Sequence, residues 1–179
     1  MAAKNVLIIS SSPRSGGNSE YLCERFAEGA RQAGNHVEIV SLAKKHVGYC
    51  TGCYTCQTQG KCVQKDGVDA ILDKMLAADV LVLATPVYFY TVSAQLKALI
   101  DRTVVIYPNL TNKQFYYIMT MADNDDKKFH GTVEALRGFL DCYGGSSEMG
   151  MIRACGVYEK GAVQKTPFAE EAYQLGKSI

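Results

Sequence analysis

A loop of small, polar and basic residues follows the first apolar run of the chain. Val6 to Ile9 is apolar, and the loop that begins at Ser10 contains the Ser12 and Ser19 hydroxyls, Arg14 and a glycine pair that ends at Gly17. Backbone N–H groups at a helix start, together with hydroxyls and one arginine, can enclose a phosphate. The chain has neither G-x-x-x-x-G-K-[ST] nor, after this run, G-x-G-x-x-G. The loop therefore predicts a site for a mononucleotide monophosphate, with Ser10 and Gly17 among its candidate binding residues.

Four cysteines within thirteen residues form a second reactive group. They are Cys50, Cys53, Cys56 and Cys62. The C-x2-C-x2-C spacing is compact enough to place three thiolates around one [4Fe–4S] cluster, and the gap before Cys62 lets a fourth thiolate reach the remaining iron. Reduced thiols or a Cys53–Cys56 redox pair are alternatives, and zinc is less suited because its structural sites usually take ligands in two separated pairs.

The loop from Thr85 to Val92 is unusually aromatic. Tyr88, Phe89 and Tyr90 follow the stiff residue Pro86. These side chains can pack along a planar ring, or they can instead cap the sheet or fill a subunit interface. Combined with a phosphate loop at the same sheet edge, the pattern indicates a ligand with a phosphate at one end and a flat heterocycle at the other, which describes FMN.

Alternating apolar runs and helical patterns position these loops. Nearly continuous apolar runs, which are typical of strands buried on both faces, predict strands at Val6–Ser10, Val37–Leu42, Val80–Ala84, Phe115–Thr120 and Met151–Val157. Apolar residues at helical spacing predict helices at Ser19–Ala33, Asp66–Ala78, Ser93–Ile106, Thr132–Tyr143 and Pro167–Leu175, with Asp66 as a candidate N-cap.

Five β/α units predict a three-layer α/β/α sandwich, flavodoxin-like, with a five-stranded parallel sheet in the order 2-1-3-4-5. In that order the ligand lies at the carboxyl ends of strands 1 and 3, for which flavodoxin and FMN are the standard example. The first loop and the Thr85–Val92 loop meet there. We expect a single domain over residues 1–179, with a cysteine-rich loop of about residues 46–65 inserted between strand 2 and helix 2.

Two other classes of protein with this fold do not match. A receiver domain needs acidic residues after strand 1 and a phosphoacceptor aspartate after strand 3, where this chain has Ser10–Ser12 and Thr85-Pro86. A small phosphotyrosine phosphatase needs a cysteine in the first loop, which contains none. The sequence therefore argues against both.

At these positions the chain resembles the NADPH-dependent FMN reductase-like flavoproteins. Ser12-Pro-Arg-x-x-Gly-Asn-Ser19 looks like their phosphate motif, and Thr85-Pro-Val-Tyr88 followed by Ser93-Ala-Gln-Leu-Lys-Ala-Leu-Ile-Asp-Arg102 looks like their isoalloxazine loop and the helix behind it. The resemblance implies phosphate binding by Ser12, Arg14, Asn18 and Ser19, and flavin contacts by Pro86, Val87, Tyr88 and Phe89. A third cofactor loop is expected near Thr120.

The cysteine spacing is similar to that of the iron–sulfur flavoproteins, a branch of the same family. This resemblance implies FMN and a [4Fe–4S] cluster in an oligomer, in which the cysteine motif reaches the flavin of a neighbouring subunit. We therefore expect a homodimer or a homotetramer.

The overall composition is that of an ordinary globular protein. The 179 residues are 47% hydrophobic and 21% charged, with a net charge of +1. There is no block of like charge for nucleic acid and no apolar segment near the roughly 18 residues of a membrane span. The N-terminus runs into a strand without a signal-peptide pattern, and the odd number of cysteines argues against a disulfide framework. We expect a cytoplasmic protein, with Cys23, Cys142 and Cys155 buried.

These observations predict an FMN-dependent oxidoreductase without a catalytic acid or base, because hydride transfer to flavin N5 needs none. As a reductase, it takes hydride from NAD(P)H and passes electrons to a quinone, a free flavin or another small acceptor. As an iron–sulfur electron carrier, it exchanges electrons among a ferredoxin-like donor, the cluster and FMN. A third alternative, from a different class, is a non-catalytic redox-sensing flavin module.

Overall fold

The computed structural model describes residues 2–179. Five parallel strands form one sheet in the order β2-β1-β3-β4-β5, which confirms the predicted flavodoxin-like topology. The strands are β1 Asn5–Ser10, β2 His36–Ser41, β3 Val80–Pro86, β4 Gln114–Thr120 and β5 Ser147–Ala154. Six α-helices connect and cover them: α1 Asn18–Gln32, α2 Thr55–Gln59, α3 Val68–Ala77, α4 Ala94–Arg102, α5 His130–Leu140 and α6 Phe168–Lys177.

The sheet separates two hydrophobic clusters. Alternate residues of β1 point to opposite faces, so that Leu7 and Ile9 join the cluster under α3, α4 and α5, whereas Val6 and Ile8 join the cluster under α1 and α6. Every residue of β3 is buried. Burial on both faces explains why the central strands have continuous apolar runs rather than alternating ones.

The bounds of strand β5 were predicted wrongly. It runs from Ser147 to Ala154, whereas the apolar pattern suggested Met151–Val157. β5 is an edge strand with several exposed positions, and its first half, Ser-Glu-Met-Gly, has no apolar run that marks it. The strand therefore ends earlier than expected, and Val157 belongs to the loop that follows.

The C-terminal helix fixes the position of α1. A Cβ atom at Gly29 would collide with the carbonyl oxygen of Tyr173, and one at Gly176 would collide with that of Phe26. The backbones of α1 and α6 can approach this closely only because both positions are glycine. This contact holds α1, whose N-terminus borders the first loop, against the sheet.

None of the helices described in residues 2–179 is both long and apolar enough to cross a lipid bilayer.

Candidate functional site

The crevice lies where β1 and β3 end side by side. Ser10 pairs with Ala84 in the sheet, and the chain leaves β1 towards α1 on one face and β3 towards α4 on the other. The two loops therefore separate and leave a cavity of about 170 Å³. Residues from four loops line it.

All the predicted cofactor residues except two line this cavity. Those that do are Ser12, Arg14, Gly17, Asn18, Ser19, Pro86, Val87, Tyr88 and Thr120. Ser10 is instead buried at the end of β1, near the thiol of Cys23. The Phe89 side chain is completely exposed at the tip of a turn. The structure therefore brings together residues of the first, second and third predicted loops.

The first loop presents a helix start without a side-chain cap. Gly17 is the N-cap of α1, and because glycine has no side chain, the amides of the first turn stay available for a ligand. The loop is held by the Arg14 amide, which donates to Ser12 Oγ at 3.2 Å, and by the Gly17 amide, which donates to the Arg14 carbonyl at 3.1 Å. The Arg14 guanidinium donates to the Tyr158 carbonyl at 3.3 Å. A cation is thus fixed beside a helix N-terminus.

The side chain of Asn18, which was predicted to contact the phosphate, bonds the loop after β5. Its Nδ2 donates to the carbonyls of Val157 and Glu159 at 3.0 and 2.9 Å. Its Oδ1 accepts from the amides of Gly161 and Val163 at 3.0 and 3.3 Å. With these bonds formed, the side chain ties the first loop to the loop after β5.

The sequence reasoning missed the cavity wall that Asn18 supports. Val157 and Tyr158 line the cavity, as do Met121 and Ala122 after β4. Val157 was hidden because the last predicted strand was extended over it. The asparagine–carbonyl contacts span about 140 residues of sequence, so no local pattern could reveal them.

Hydrogen bonds join the loops around the cavity. Ser19 Oγ and Thr120 Oγ1 are 2.7 Å apart, which links the first loop to the third. Ser11 Oγ donates to the Ala84 carbonyl at 2.8 Å and accepts from Ser93 Oγ at 2.9 Å. Ser93 is also the N-cap of α4, accepting from the Leu96 amide. The crevice is therefore a connected unit.

The tip of the second loop has an unusual backbone. Tyr88 and Thr91 exchange two backbone hydrogen bonds, and the two residues between them, Phe89 and Tyr90, have φ values of 48° and 63°. A two-residue turn of this kind favours Asn-Gly, and a left-handed conformation costs a bulky residue about 1–2 kcal/mol. The Lys128 ammonium lies 5.4 Å from the centre of the Tyr90 ring. Strain retained at a loop tip beside a cavity is typical of a functional position.

The four clustered cysteines border one separate cavity. Cys50, Cys53, Cys56 and Cys62 all line a space of about 60 Å³, together with Arg102. All seven cysteines of the chain are free thiols. Within residues 2–179, no three His, Cys, Asp or Glu side chains are already arranged as a metal site. The donor types fit an iron–sulfur cluster, but the thiolates would have to draw together around it.

The cysteine loop has secondary structure that the sequence did not predict. The loop contains the short helix α2, flanked by left-handed residues at Tyr54 and Gly60. None of the residues of α2 is buried, so an apolar pattern could not reveal it. The Thr55 side chain and amide hydrogen-bond the sulfur of Cys53 and lower its pKa.

A buried ion pair fastens both ends of this loop. Arg102 Nη1 lies 2.7 Å from Asp66 Oδ2, and its Nη2 lies 3.1 Å from Oδ1. Nη1 also donates to the Gly48 carbonyl at 2.9 Å. Hydrogen bonding by Arg102 lowers the pKa of Asp66 to about 2. Asp66 was predicted only as a helix cap; it does accept from the Val68 amide at 3.3 Å, but its main partner is the arginine.

Of the three cysteines predicted to be buried, only Cys23 is fully so. Burial raises the pKa of its thiol to about 12. Cys155 is half-buried and Cys142 is exposed. The apolar neighbours of Cys142 misled the sequence reasoning, because the residue follows the last turn of α5 rather than lying on its inner face.

The sequence of this chain is similar to those of known proteins. Residues 4–152 match the family model described as NADPH-dependent FMN reductase. An iron-sulfur flavoprotein of Methanocaldococcus jannaschii is 46% identical over 98 residues, which cover 55% of this chain and 51% of that protein. An iron-sulfur flavoprotein of Archaeoglobus fulgidus is 40% identical over 91 residues, or 51% of this chain and 41% of that protein. The chain thus spans about half the length of the curated relatives it matches.

Solved structures with low sequence identity share the fold. An FMN-dependent NADH-azoreductase from Bacillus anthracis, solved in complex with FMN, has a TM-score of 0.74 at 15% identity, covering 99% of each chain. An NAD(P)H:quinone oxidoreductase from Methanothermobacter marburgensis has a TM-score of 0.70 at 16% identity, covering 99% of this chain and 97% of that one. These likenesses confirm the fold, and the family match confirms the resemblance found in the sequence.

The turn at Phe89 leads to a first prediction. Phe89→Gly removes a fully exposed side chain and relieves the left-handed strain. After allowance for the added entropy of the unfolded chain, we expect a gain of about 0.5–1 kcal/mol in the free energy of unfolding, measured by urea denaturation. Phe89→Ala is the matched control, since it deletes the ring but keeps a Cβ. Equal stability of the two variants would contradict the assignment of strain.

Proposed function

The chain belongs to the NADPH-dependent FMN reductase family, and on that premise we propose that it is an FMN-dependent oxidoreductase. It takes hydride from NAD(P)H and reduces a small-molecule acceptor, such as a quinone or a free flavin. The observation that carries this proposal is the crevice cavity at the ends of β1 and β3. It has an arginine and an uncapped helix start on one side and the Pro86–Tyr88 segment on another.

The first loop fits the phosphate of FMN. The amides of the first turn of α1, the hydroxyls of Ser12 and Ser19, and Arg14 would hold it. A Cβ at Gly17 would lie 3.0 Å from the Arg14 carbonyl oxygen and 3.4 Å from Ser12 Oγ, so that a larger residue would narrow the cradle. Glu20 accepts from the Gly16 amide, so that this loop amide already has a partner within the chain.

The remaining walls fit the flavin ring. Pro86, Val87 and Tyr88 border the cavity opposite the phosphate loop, and the Val87 amide donates to the Thr120 carbonyl at 2.8 Å. That bond fixes the second loop against the third, so the wall is preformed. Bound FMN would supply hydride acceptance and electron transfer, while the protein supplies position and electrostatics.

We assign no catalytic acid or base. Within the described chain, the cavity lining contains serine, threonine, asparagine, arginine and tyrosine but no Asp, Glu, His or Lys. Hydride transfer to a flavin requires orientation rather than a protein base. The residues of the crevice therefore act by binding and orienting the flavin.

An iron–sulfur electron carrier is the second candidate function. The four clustered cysteines share one cavity, and thiolates are the usual ligands of a [4Fe–4S] cluster. Two relatives named iron-sulfur flavoprotein support it. In that role Cys50, Cys53, Cys56 and Cys62 would hold the cluster, and a ferredoxin-like protein would be the partner.

The presence of seven free thiols also supports a cytoplasmic location.

We further propose that the protein is a homodimer or homotetramer. A groove of about 430 Å³ runs along α4 and α5, from Thr91 beside the aromatic turn to Val104, which also borders the cysteine cavity. Val104 and Tyr107 expose large apolar side chains along it. A second copy bound here would connect one chain's cysteine cavity with another's crevice.

Sedimentation velocity should give a dimeric or larger mass, and a monomer at micromolar concentration would contradict this.

Anaerobic stopped-flow absorbance tests the reductase. We expect NADPH or NADH to bleach the bound flavin and a quinone to restore its colour rapidly, because the oxidised ring accepts hydride and the reduced ring then passes electrons on. Bleaching by a reduced ferredoxin but by neither nicotinamide would instead favour the electron carrier. No bleaching by any of these donors would contradict both and favour a sensor.

A charge-deletion variant tests the phosphate site. Arg14→Ala should weaken FMN binding roughly tenfold or more, since a hydrogen bond to a charged group contributes about 1.5–3 kcal/mol. Riboflavin, which has no phosphate, should bind both proteins alike. Flavin-fluorescence quenching measures both affinities, and Arg31→Ala, in the exposed last turn of α1, is the control. An equal loss for both flavins would place the phosphate elsewhere.

A further inference from the structure

Arg102 has one donor that the ion pair leaves unused. The side chain is 1% exposed, and its two terminal nitrogens bond Gly48, Gln64 and Asp66. Its Nε is buried without a hydrogen-bond partner among the described residues. An unpaired buried donor on a charged group is costly, so such a group requires an explanation.

The cavity bordered by Arg102 supplies the missing partner. The four clustered cysteines line the same space, in which Cys62 is a neighbour of the guanidinium. Sulfur of a bound cluster or of its thiolates accepts hydrogen bonds, and such bonds help to set the reduction potential. Arginine stays protonated at any ordinary pH, which makes it a permanent donor.

The ion pair makes this donor rigid. Asp66 holds both terminal nitrogens of Arg102, and Gly48 and Asp66 stand at the two ends of the cysteine loop. Arg102 is also the last residue of α4, whose N-cap Ser93 bonds the first loop through Ser11. At nine residues, α4 spans roughly 13 Å. One helix therefore positions the cysteine cavity relative to the crevice.

We propose that Arg102 directs its Nε–H to a sulfur of the cysteine centre and raises the reduction potential of a cluster bound there. This inference rests on the iron–sulfur part of the proposed function. The negative charge on a thiolate-bound cluster grows when it gains an electron. A fixed donor and a nearby positive charge therefore favour the reduced form. Asp66 opposes that effect through its own charge.

Opposite charge deletions separate this role from a structural one. Wild type, Arg102→Gln, Arg102→Lys and Asp66→Asn are each reconstituted anaerobically with ferrous iron and sulfide. Iron, sulfide and FMN are then counted per chain. Potentiometric titration, followed by electron paramagnetic resonance of the reduced cluster, gives the midpoint potential. Bound FMN reports whether each variant has kept its fold.

We expect Arg102→Gln to lower the reduced-to-oxidised ratio at the wild-type midpoint about tenfold, which is 59 mV for one electron. Asp66→Asn should raise that ratio, and Arg102→Lys, which keeps the charge but loses the Nε–H, should lower it by less than Arg102→Gln does, about threefold. If Arg102→Gln holds FMN but no cluster while Arg102→Lys holds both, the role is also supported.

Three results would overturn it. These are shifts in the same direction for Arg102→Gln and Asp66→Asn, an unchanged midpoint in Arg102→Gln, and loss of the cluster from all three variants, which indicates a purely structural pair. If wild type itself binds FMN but takes up no iron, the cluster proposal fails and this inference fails with it. Flavin reduction by NADPH in the same sample would still stand, so that the two failures are distinguishable.

Discussion

The reversal of winding between β1 and β3 is the constraint on which the site depends. Because these neighbouring strands send the chain to opposite faces of the sheet, their loops cannot pack against each other and a crevice remains. Short hydrogen bonds then connect the surrounding loops, through Ser11 with Ser93 and Ser19 with Thr120. The cavity is thus a consequence of topology, and a few polar side chains give it a defined shape.

The cysteine loop depends on a second constraint, the buried pair of Arg102 and Asp66. Removing a charge from water is costly unless a partner compensates it, so the pair fixes the ends of a loop that has little apolar surface of its own. Helix α4 ends at Arg102, which forms one half of this pair, and its N-cap Ser93 makes the serine contact to the crevice at the other end. The crevice and the cysteine cavity are therefore positioned by one short helix.

The sequence was sufficient for the features that local patterns encode. Continuous apolar runs located the central strands and hence the strand order, and the Ser12–Ser19 segment identified the loop at the end of β1. It was not sufficient for contacts between distant residues. The bonds of Asn18 to the loop after β5, and the pairing of Arg102 with Asp66, join segments that no local pattern relates. Exposed or mixed segments, such as α2 and the first half of β5, gave no usable apolar signal.

The central claim is that a flavin phosphate is bound in the crevice of each chain. The most direct test is the absorption spectrum of protein purified without oxygen, with FMN and iron quantified per chain. We expect yellow or brown protein with flavin bands and one FMN per chain. Colourless protein that also fails to quench the fluorescence of added FMN would contradict it.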